Sequence, residues 1–194
     1  MADEATRAQL KVLGIAGSLR AASFNRALLR AAQELAPAGM EITAFDLAPI
    51  PLYNADVEAK GDPEPVGALK SAIRRADALL IVTPEYNFGM PGVLKNAIDW
   101  ASRPPRSSVL MGKPAAIMGA TPGMGGTGRA QLQLRQAFLF TQTLAVLSPE
   151  VLVARAGEKF DAAGRLTDEK TRQIVGQLLQ ALADWTARLA PKRA

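Results

Sequence analysis

Short apolar runs alternate along the chain with longer segments in which apolar residues recur every three or four positions. The short runs favour buried strands, whereas the three-to-four spacing is typical of amphipathic helices. The predicted strands are residues 12–16, 42–45, 78–82, 115–119 and 151–153. The predicted helices are residues 23–35, 65–75, 91–101, 129–144 and 167–189.

Strands that alternate with helices of this length predict right-handed βαβ units and a parallel sheet covered on both faces. Five such strands favour a flavodoxin-like α/β fold with strand order 2-1-3-4-5. Neither an internal repeat nor a linker divides the sequence, so we expect a single domain over residues 11–190. Residues 1–10 are polar, do not resemble a secretory signal, and are predicted to form a flexible lead.

Three unusual loops follow the first, third and fourth predicted strands, which are neighbours in this strand order. The carboxyl ends of parallel strands meet at one edge of the sheet, and ligands bind there where the strand order reverses. The loops cover residues 17–25, 83–92 and 121–129, and they are rich in glycine, proline and hydroxyl side chains. We therefore expect all three loops to share one ligand site.

The first loop, GSLRAASFN, enters a helix whose start carries the wrong charge. Helix N-termini favour acidic residues, but Arg20 and Arg26 flank this one and no acid precedes Glu34. In one interpretation Ser23 merely caps the helix and both arginines point to solvent. In the other, an external anion removes the conflict; the loop has neither a Walker A nor a GxGxxG pattern, which favours one terminal phosphate. The side chains that would bind it are those of Ser18, Ser23 and Asn25.

The other two loops have backbones suited to close contact with a ligand. In TPEYNFGMPG, Tyr86 and Phe88 can pack against a planar ring, although Phe88 can equally pack into the core or a subunit interface. TPGMGGTGR has four glycines in six residues, which favours either close approach to a ligand or a mobile surface loop. Arg129 then opens a helix, again an unfavourable place for a cation without an anionic partner.

Composition narrows the chemistry further. The sequence has no cysteine and no histidine, which excludes disulfides, thiolate nucleophiles, histidine triads and the common zinc sites. The net charge of +5 favours anionic partners, but the basic residues are scattered, so a phosphorylated small molecule is favoured over nucleic acid. No apolar stretch approaches the ~20 residues of a membrane span. We expect a cytoplasmic protein without membrane insertion and without a bound metal.

The motifs GSLRAASFN, TPEYNFGMPGVLKNAIDW and GMGGTGRAQLQLRQ, in this order and spacing, resemble the NAD(P)H-dependent FMN reductase family, which includes soluble quinone and chromate reductases. The resemblance runs from about residue 11 to about residue 150. It implies bound FMN, hydride transfer from NADPH or NADH to the flavin, and ping-pong electron transfer to a small acceptor, most plausibly a quinone. Chromate, azo or other acceptors, a flavodoxin-type electron carrier and a flavin-binding regulatory module remain alternatives.

The resemblance also implies roles for individual residues, although Thr121 and Thr127 depart from the serine and glycine that are common in the family. No catalytic acid or base is expected, because the flavin supplies the chemistry. Arg20 and Arg129 are candidates for binding NAD(P)H phosphates. Ser18, Arg20, Ser23 and Asn25 are expected to bind the FMN phosphate, with Gly17 and Leu19 beside them; Pro84, Glu85, Tyr86, Asn87 and Phe88 line the isoalloxazine, and Thr121, Pro122 and Gly123 close its other edge.

The family forms homodimers or homotetramers, and the sequence offers one surface for such an interface. The predicted helix 91–101 carries Leu94, Ile98 and Trp100, and the proline-rich segment 48–53 precedes it. If these apolar side chains are exposed, they predict a symmetric contact between subunits.

Overall fold

A six-stranded parallel sheet runs through the centre of the molecule. The computed structural model describes residues 9–190. The sheet order is β2-β1-β3-β4, and both β5 and β6 pair with β4. The strands are β1 (Leu10–Ala16), β2 (Met40–Phe45), β3 (Ala78–Val82), β4 (Pro114–Ala120), β5 (Leu144–Ala145) and β6 (Val151–Val153).

Helices cover both faces of this sheet and bury β3 and β4 along their whole length. Helices α1 and α6 pack on one face, and α3, α4 and α5 pack on the other. None of the helices within residues 9–190 combines the length and the apolar character needed to cross a membrane. The helices are α1 (Phe24–Glu34), α2 (Ala55–Glu58), α3 (Glu64–Arg75), α4 (Gly92–Ala101), α5 (Gly128–Thr141) and α6 (Glu169–Leu189).

The flavodoxin-like topology and the strand order 2-1-3-4-5 are confirmed, but the fifth position is divided. Leu144 pairs with Pro114 at the start of β4, whereas Val151 pairs with Met118 near its end. The sequence predicted only the second piece and extended a helix to residue 144. That helix stops at Thr141 because Gln142 adopts a left-handed conformation with φ of 55°.

One short helix was not predicted, and one prediction falls largely outside the described residues. The four-residue helix α2 was not predicted; it is short, and the Asn54 side chain caps it by accepting from Asp56 N at 2.8 Å. The predicted flexible lead falls largely on residues 1–8, outside the described residues. Leu10, which that prediction included, is the first residue of β1.

The predicted subunit surface on α4 is wrong. Leu94, Ile98 and Trp100 are buried in the core, because α4 packs directly against the sheet. The proline-rich segment also covers α4: Trp100 Nε1 and Asn96 Nδ2 both donate to the Pro51 carbonyl oxygen at 2.9 Å. Leu52, in the same proline-rich segment, is exposed as predicted, and further exposed apolar side chains lie on the outer face of α5, among them Leu132, Leu139 and Phe140.

Candidate active site

The three predicted loops leave the sheet side by side, as expected. Gly17 N donates to Val82 O at 2.8 Å, Thr83 N to Met118 O at 2.9 Å and Thr121 N to Val153 O at 2.9 Å, so each loop starts bonded to the neighbouring strand. Gly119 allows this close approach, since a Cβ there would lie 2.2 Å from Thr83 O. The end of β1, β3 and β4 is therefore one continuous edge. We call the loops at residues 17–23, 83–91 and 121–127 loop 1, loop 2 and loop 3.

Loop 1 presents hydrogen-bond donors that the described chain does not use. Ser18 is only 5% exposed, yet its hydroxyl makes no hydrogen bond within residues 9–190. The backbone N–H groups of Ser18, Leu19 and Arg20 also have no acceptor in that range. The Arg20 guanidinium donates only to Ala22 O, at 3.2 Å, in its own loop. Free N–H groups, a hydroxyl and an arginine at a helix N-terminus fit a phosphate monoester.

Two residues predicted to bind that phosphate also have structural contacts within the chain. Ser23 is the N-cap of α1 and accepts from Asn25 N at 3.2 Å, as the capping interpretation expected. Asn25 Nδ2 donates to Ala120 O at 2.8 Å, and Ala120 N donates to Asn25 Oδ1 at 2.9 Å. The amide of Asn25 thus joins α1 to β4, and its predicted contact with the FMN phosphate stays a prediction.

Loop 2 holds two aromatic side chains at the surface. Tyr86 and Gly89 exchange two backbone hydrogen bonds of 3.0 Å, which closes a tight turn. Asn87 and Phe88, at its tip, take φ values of 49° and 65°, a left-handed conformation that is rare for a bulky residue and is often found at functional sites. Phe88 is 71% exposed and does not pack into the core of its own chain. This turn offers aromatic surface to a planar ligand.

Loop 3 is tied to the segment that follows β6. Ala156 N donates to Thr121 O and Arg155 N donates to Gly123 O, both at 2.9 Å. Gly126 packs so closely on Leu152 that a Cβ would lie 2.7 Å from the Leu152 Cβ. These contacts hold the loop from beneath, so its glycines serve close packing as well as any approach to a ligand. The alternative of a loosely attached surface loop is not what the structure shows.

The carboxylate of Glu85 lies at the N-terminus of α5. Its Oε2 accepts from Arg129 N at 3.0 Å and from Ala130 N at 3.2 Å, and its Oε1 lies 3.8 Å from Arg129 Nη1. The Arg129 guanidinium also stacks over the Phe88 ring, 4.0 Å from the ring centroid. Glu85, predicted to line the isoalloxazine, therefore supplies the anion that α5 lacks in its own first turn.

Two glutamines on α5, which the sequence analysis missed, fix the neighbouring loops. Gln133 Oε1 accepts from Met90 N at 2.6 Å at the end of loop 2. Gln131 is buried, and its Nε2 donates to Thr127 Oγ1 and to Val151 O, both at 3.1 Å. The one signal in the sequence was a glutamine, Gln131, at a helix position where the apolar pattern expects a buried residue. Together with Glu85, these side chains make loops 2 and 3 one connected unit.

Comparisons with known proteins identify the family to which this geometry belongs. The family model for NADPH-dependent FMN reductase matches residues 10–158. The chain belongs to this family. An NAD(P)H-dependent FMN reductase of Pseudomonas aeruginosa is 54% identical over 180 residues, which are 93% of this chain and 97% of the relative. A quinone reductase of Pseudomonas putida is 41% identical over 171 residues, 88% of this chain and 91% of the relative.

A solved structure supports the same assignment. The flavoenzyme NAD(P)H:(acceptor) oxidoreductase FerB from Paracoccus denitrificans superposes with a TM-score of 0.84 at 38% identity, covering 92% of this chain and 98% of that one. The predicted family, the oxidoreductase class, and the use of FMN with NAD(P)H are thereby confirmed. The individual FMN contacts, the electron acceptor and the subunit arrangement stay predictions.

Proposed function

We propose that the chain transfers hydride from NADPH or NADH to FMN and then electrons to a quinone, with ping-pong kinetics. The observation that carries the proposal is that loop 1, with its free donors for a phosphate, lies beside loop 2, with its two exposed aromatic side chains, at one edge of the sheet. Relatives named quinone reductase, such as that of Pseudomonas putida, support the choice of acceptor. When bound, FMN supplies the hydride and electron chemistry, and the protein supplies position and electrostatics.

Each loop has a distinct part in this proposal. Loop 1 binds the phosphate through its free N–H groups, the Ser18 hydroxyl and Arg20. Loop 2 places Tyr86 and Phe88 beside the ring system, and the segment 121–123 of loop 3 closes the opposite edge. No side chain is required to move a proton to a reacting carbon, which suits a chain without histidine or cysteine. A cytoplasmic location, where both pyridine nucleotides are available, fits this reaction.

The exposed apolar groups at the site favour a planar organic acceptor. Phe88 and Met124 lie at the tips of loops 2 and 3, and both side chains are largely exposed. A quinone that stacks where the nicotinamide had stacked would contact these groups through its ring face. Occupation of one space by two substrates in turn is the physical basis of ping-pong kinetics.

A two-stage anaerobic experiment tests the proposal. The purified holoenzyme, recognised by flavin absorbance at ~450 nm, is reduced with NADPH, or in a parallel run with NADH, in a stopped-flow instrument and then mixed with benzoquinone. We expect complete bleaching in the first stage and full reoxidation in the second, with parallel double-reciprocal plots in steady state. Reduction without reoxidation by quinone rejects the acceptor. Absence of reduction by either nucleotide rejects the enzyme and favours the electron-carrier alternative.

We also propose that two copies associate through the outer face of α5. Leu132, Leu139 and Phe140 share one stripe of this helix, and the last two are 81% and 72% exposed. Burial of such a stripe against a second copy removes apolar surface from water on both subunits at once. Light scattering at micromolar concentration should give a multiple of 20.5 kDa. Leu139→Asp with Phe140→Asp should give the monomer mass, and a monomeric parent would contradict the proposal.

A further inference from the structure

A small polar cavity lies beside loop 1, between α1 and the carboxyl end of β2. Its volume is about 240 Å³. One wall is α1, with Arg26, Arg30 and Gln33, and the opposite wall includes Asp46, directly after β2. Ser18, from loop 1, also lines it. Nothing in the function proposed above uses the arginine pair or Asp46.

The charges around this cavity are unbalanced. Arg26 and Arg30 are four residues apart, so they lie on the same face of α1 and repel each other. Within residues 9–190 neither of them forms a salt bridge. Arg26 is half-buried, so its charge is also partly removed from water. Asp46 is the acid that faces the pair, and it accepts from Ala48 N at 3.1 Å without pairing with either arginine.

The donor chemistry of this wall points to an anion. Arg26 and Arg30 supply the charge-assisted donors that a phosphate dianion requires, whereas the Ser18 hydroxyl is already assigned to the FMN phosphate. Asp46 adds an acceptor for a sugar hydroxyl beside it.

The geometry points to the 2′-phosphate of NADPH as the group that this cavity binds, an inference that rests on the proposed function. FMN's own phosphate belongs at the N-terminus of α1, whereas Arg30 lies seven residues beyond the N-cap Ser23, about 10 Å along the helix at 1.5 Å per residue. From the end of β3, where the proposed function places the nicotinamide, to β2 is two strand spacings, or about 10 Å. An extended dinucleotide spans that distance. NADH lacks the 2′-phosphate and cannot use the cavity.

The test compares the two nucleotides in one set of variants. We expect Arg26→Ala with Arg30→Ala to lower the ratio of kcat/KM for NADPH to kcat/KM for NADH by about 10- to 100-fold, one to two charge-assisted contacts at roughly tenfold each. The NADH parameters and the FMN content should change less than twofold. Calorimetric titration of the oxidised holoenzyme should show weaker NADP⁺ binding and unchanged NAD⁺ binding. Arg30→Ala alone, further from the FMN loop, should give an intermediate ratio.

Arg74→Ala is the matched control, because Arg74 is an exposed arginine on α3, on the opposite face of the sheet. It should leave the NADPH to NADH ratio unchanged. An unchanged ratio in the double variant overturns the inference, and so does a parallel loss of FMN, which would assign the arginines to the flavin phosphate. The NADH reaction of the same variants, normalised to bound FMN, measures the proposed reductase activity independently of either result.

Discussion

Helices α1 and α5 begin in the same way and are completed differently. Each follows a glycine-containing loop at the carboxyl edge of the sheet, each has an arginine near its start, and neither has an acid in its first turn. At α5 the missing anion is Glu85, from loop 2. At α1 no carboxylate of the described residues takes that position, and the donors of loop 1 stay free.

The difference separates a structural helix start from a binding one. A helix N-terminus carries about half a positive charge, which an internal carboxylate or an external anion can neutralise. Glu85 neutralises the charge at the start of α5. The same contact joins loop 2 to α5 and so fixes the shape of the site. In the proposed function, the start of α1 keeps its charge for the FMN phosphate. An acid-free helix start therefore indicates an anion site only when no distant carboxylate reaches it.

The largest expected effect concerns loop 1. Ser18→Ala with Arg20→Ala removes a hydroxyl and a charge-assisted donor, which should weaken FMN binding by about 2–4 kcal/mol, or roughly 30- to 1000-fold in Kd. The melting temperature of the flavin-free protein should change little, because neither side chain supports the core. Flavin fluorescence during dialysis measures the loss, with Arg74→Ala as the control. Retention of FMN equal to the parent would place the phosphate elsewhere.

In contrast to the loop 1 variant, the comparison predicts that replacing Glu85 lowers the stability of the fold. Glu85→Ala leaves two N–H groups of α5 without their acceptor and should lower the free energy of unfolding by about 1–3 kcal/mol. Glu85→Gln should cost less, since its amide oxygen can still accept from Arg129 N. Urea unfolding of the flavin-free variants measures both. Sulfate should stabilise Glu85→Ala more than the parent, and equal stability of parent and Glu85→Ala would show that the cap is dispensable.

Arg129 tests whether the start of α5 contributes to binding at all. Its side chain is 61% exposed in spite of its contacts with Glu85 and Phe88, so it can still reach a ligand above loop 2. Arg129→Ala should raise the KM for NADPH about tenfold, as the loss of one charge-assisted bond of ~1.4 kcal/mol would do. FMN content and the quinone half-reaction should not change. If the quinone half-reaction slows instead, Arg129 serves the acceptor.

Most of the fold could be predicted because hydrophobic spacing reports directly on burial. The apolar runs located the long strands of the sheet, and the loops that follow β1, β3 and β4 came together as parallel topology requires. Contacts distant in sequence could not be predicted in this way. Glu85 is 44 residues from Arg129 and Asn25 is 95 residues from Ala120, and no local pattern encodes either pair. The same holds for Trp100, whose apolar ring gave no sign of facing inward.

The smallest expected effect concerns the start of α6, a third helix start. Here the N-cap residue, Asp168, itself supplies the negative charge. The Thr171 hydroxyl, which donates to the Asp168 carboxylate, and Lys159, 3.0 Å from it, lower the pKa of Asp168 to about 2. The pKa of an aspartate in the unfolded chain is ~3.9. Because the folded pKa is the lower one, this stabilisation is complete above about pH 4 and is lost as the pH falls toward 2.

Asp168→Asn therefore separates the charge of this cap from its hydrogen bond. Asparagine still caps a helix, so the variant should be less stable by about 1 kcal/mol or less near neutral pH. The difference from the parent should shrink between about pH 4 and pH 2, where the parent loses the same charge. Urea unfolding at several pH values measures it. A gap that stays constant over that range would mean that α6, unlike α5, needs only an acceptor at its start and not a charge.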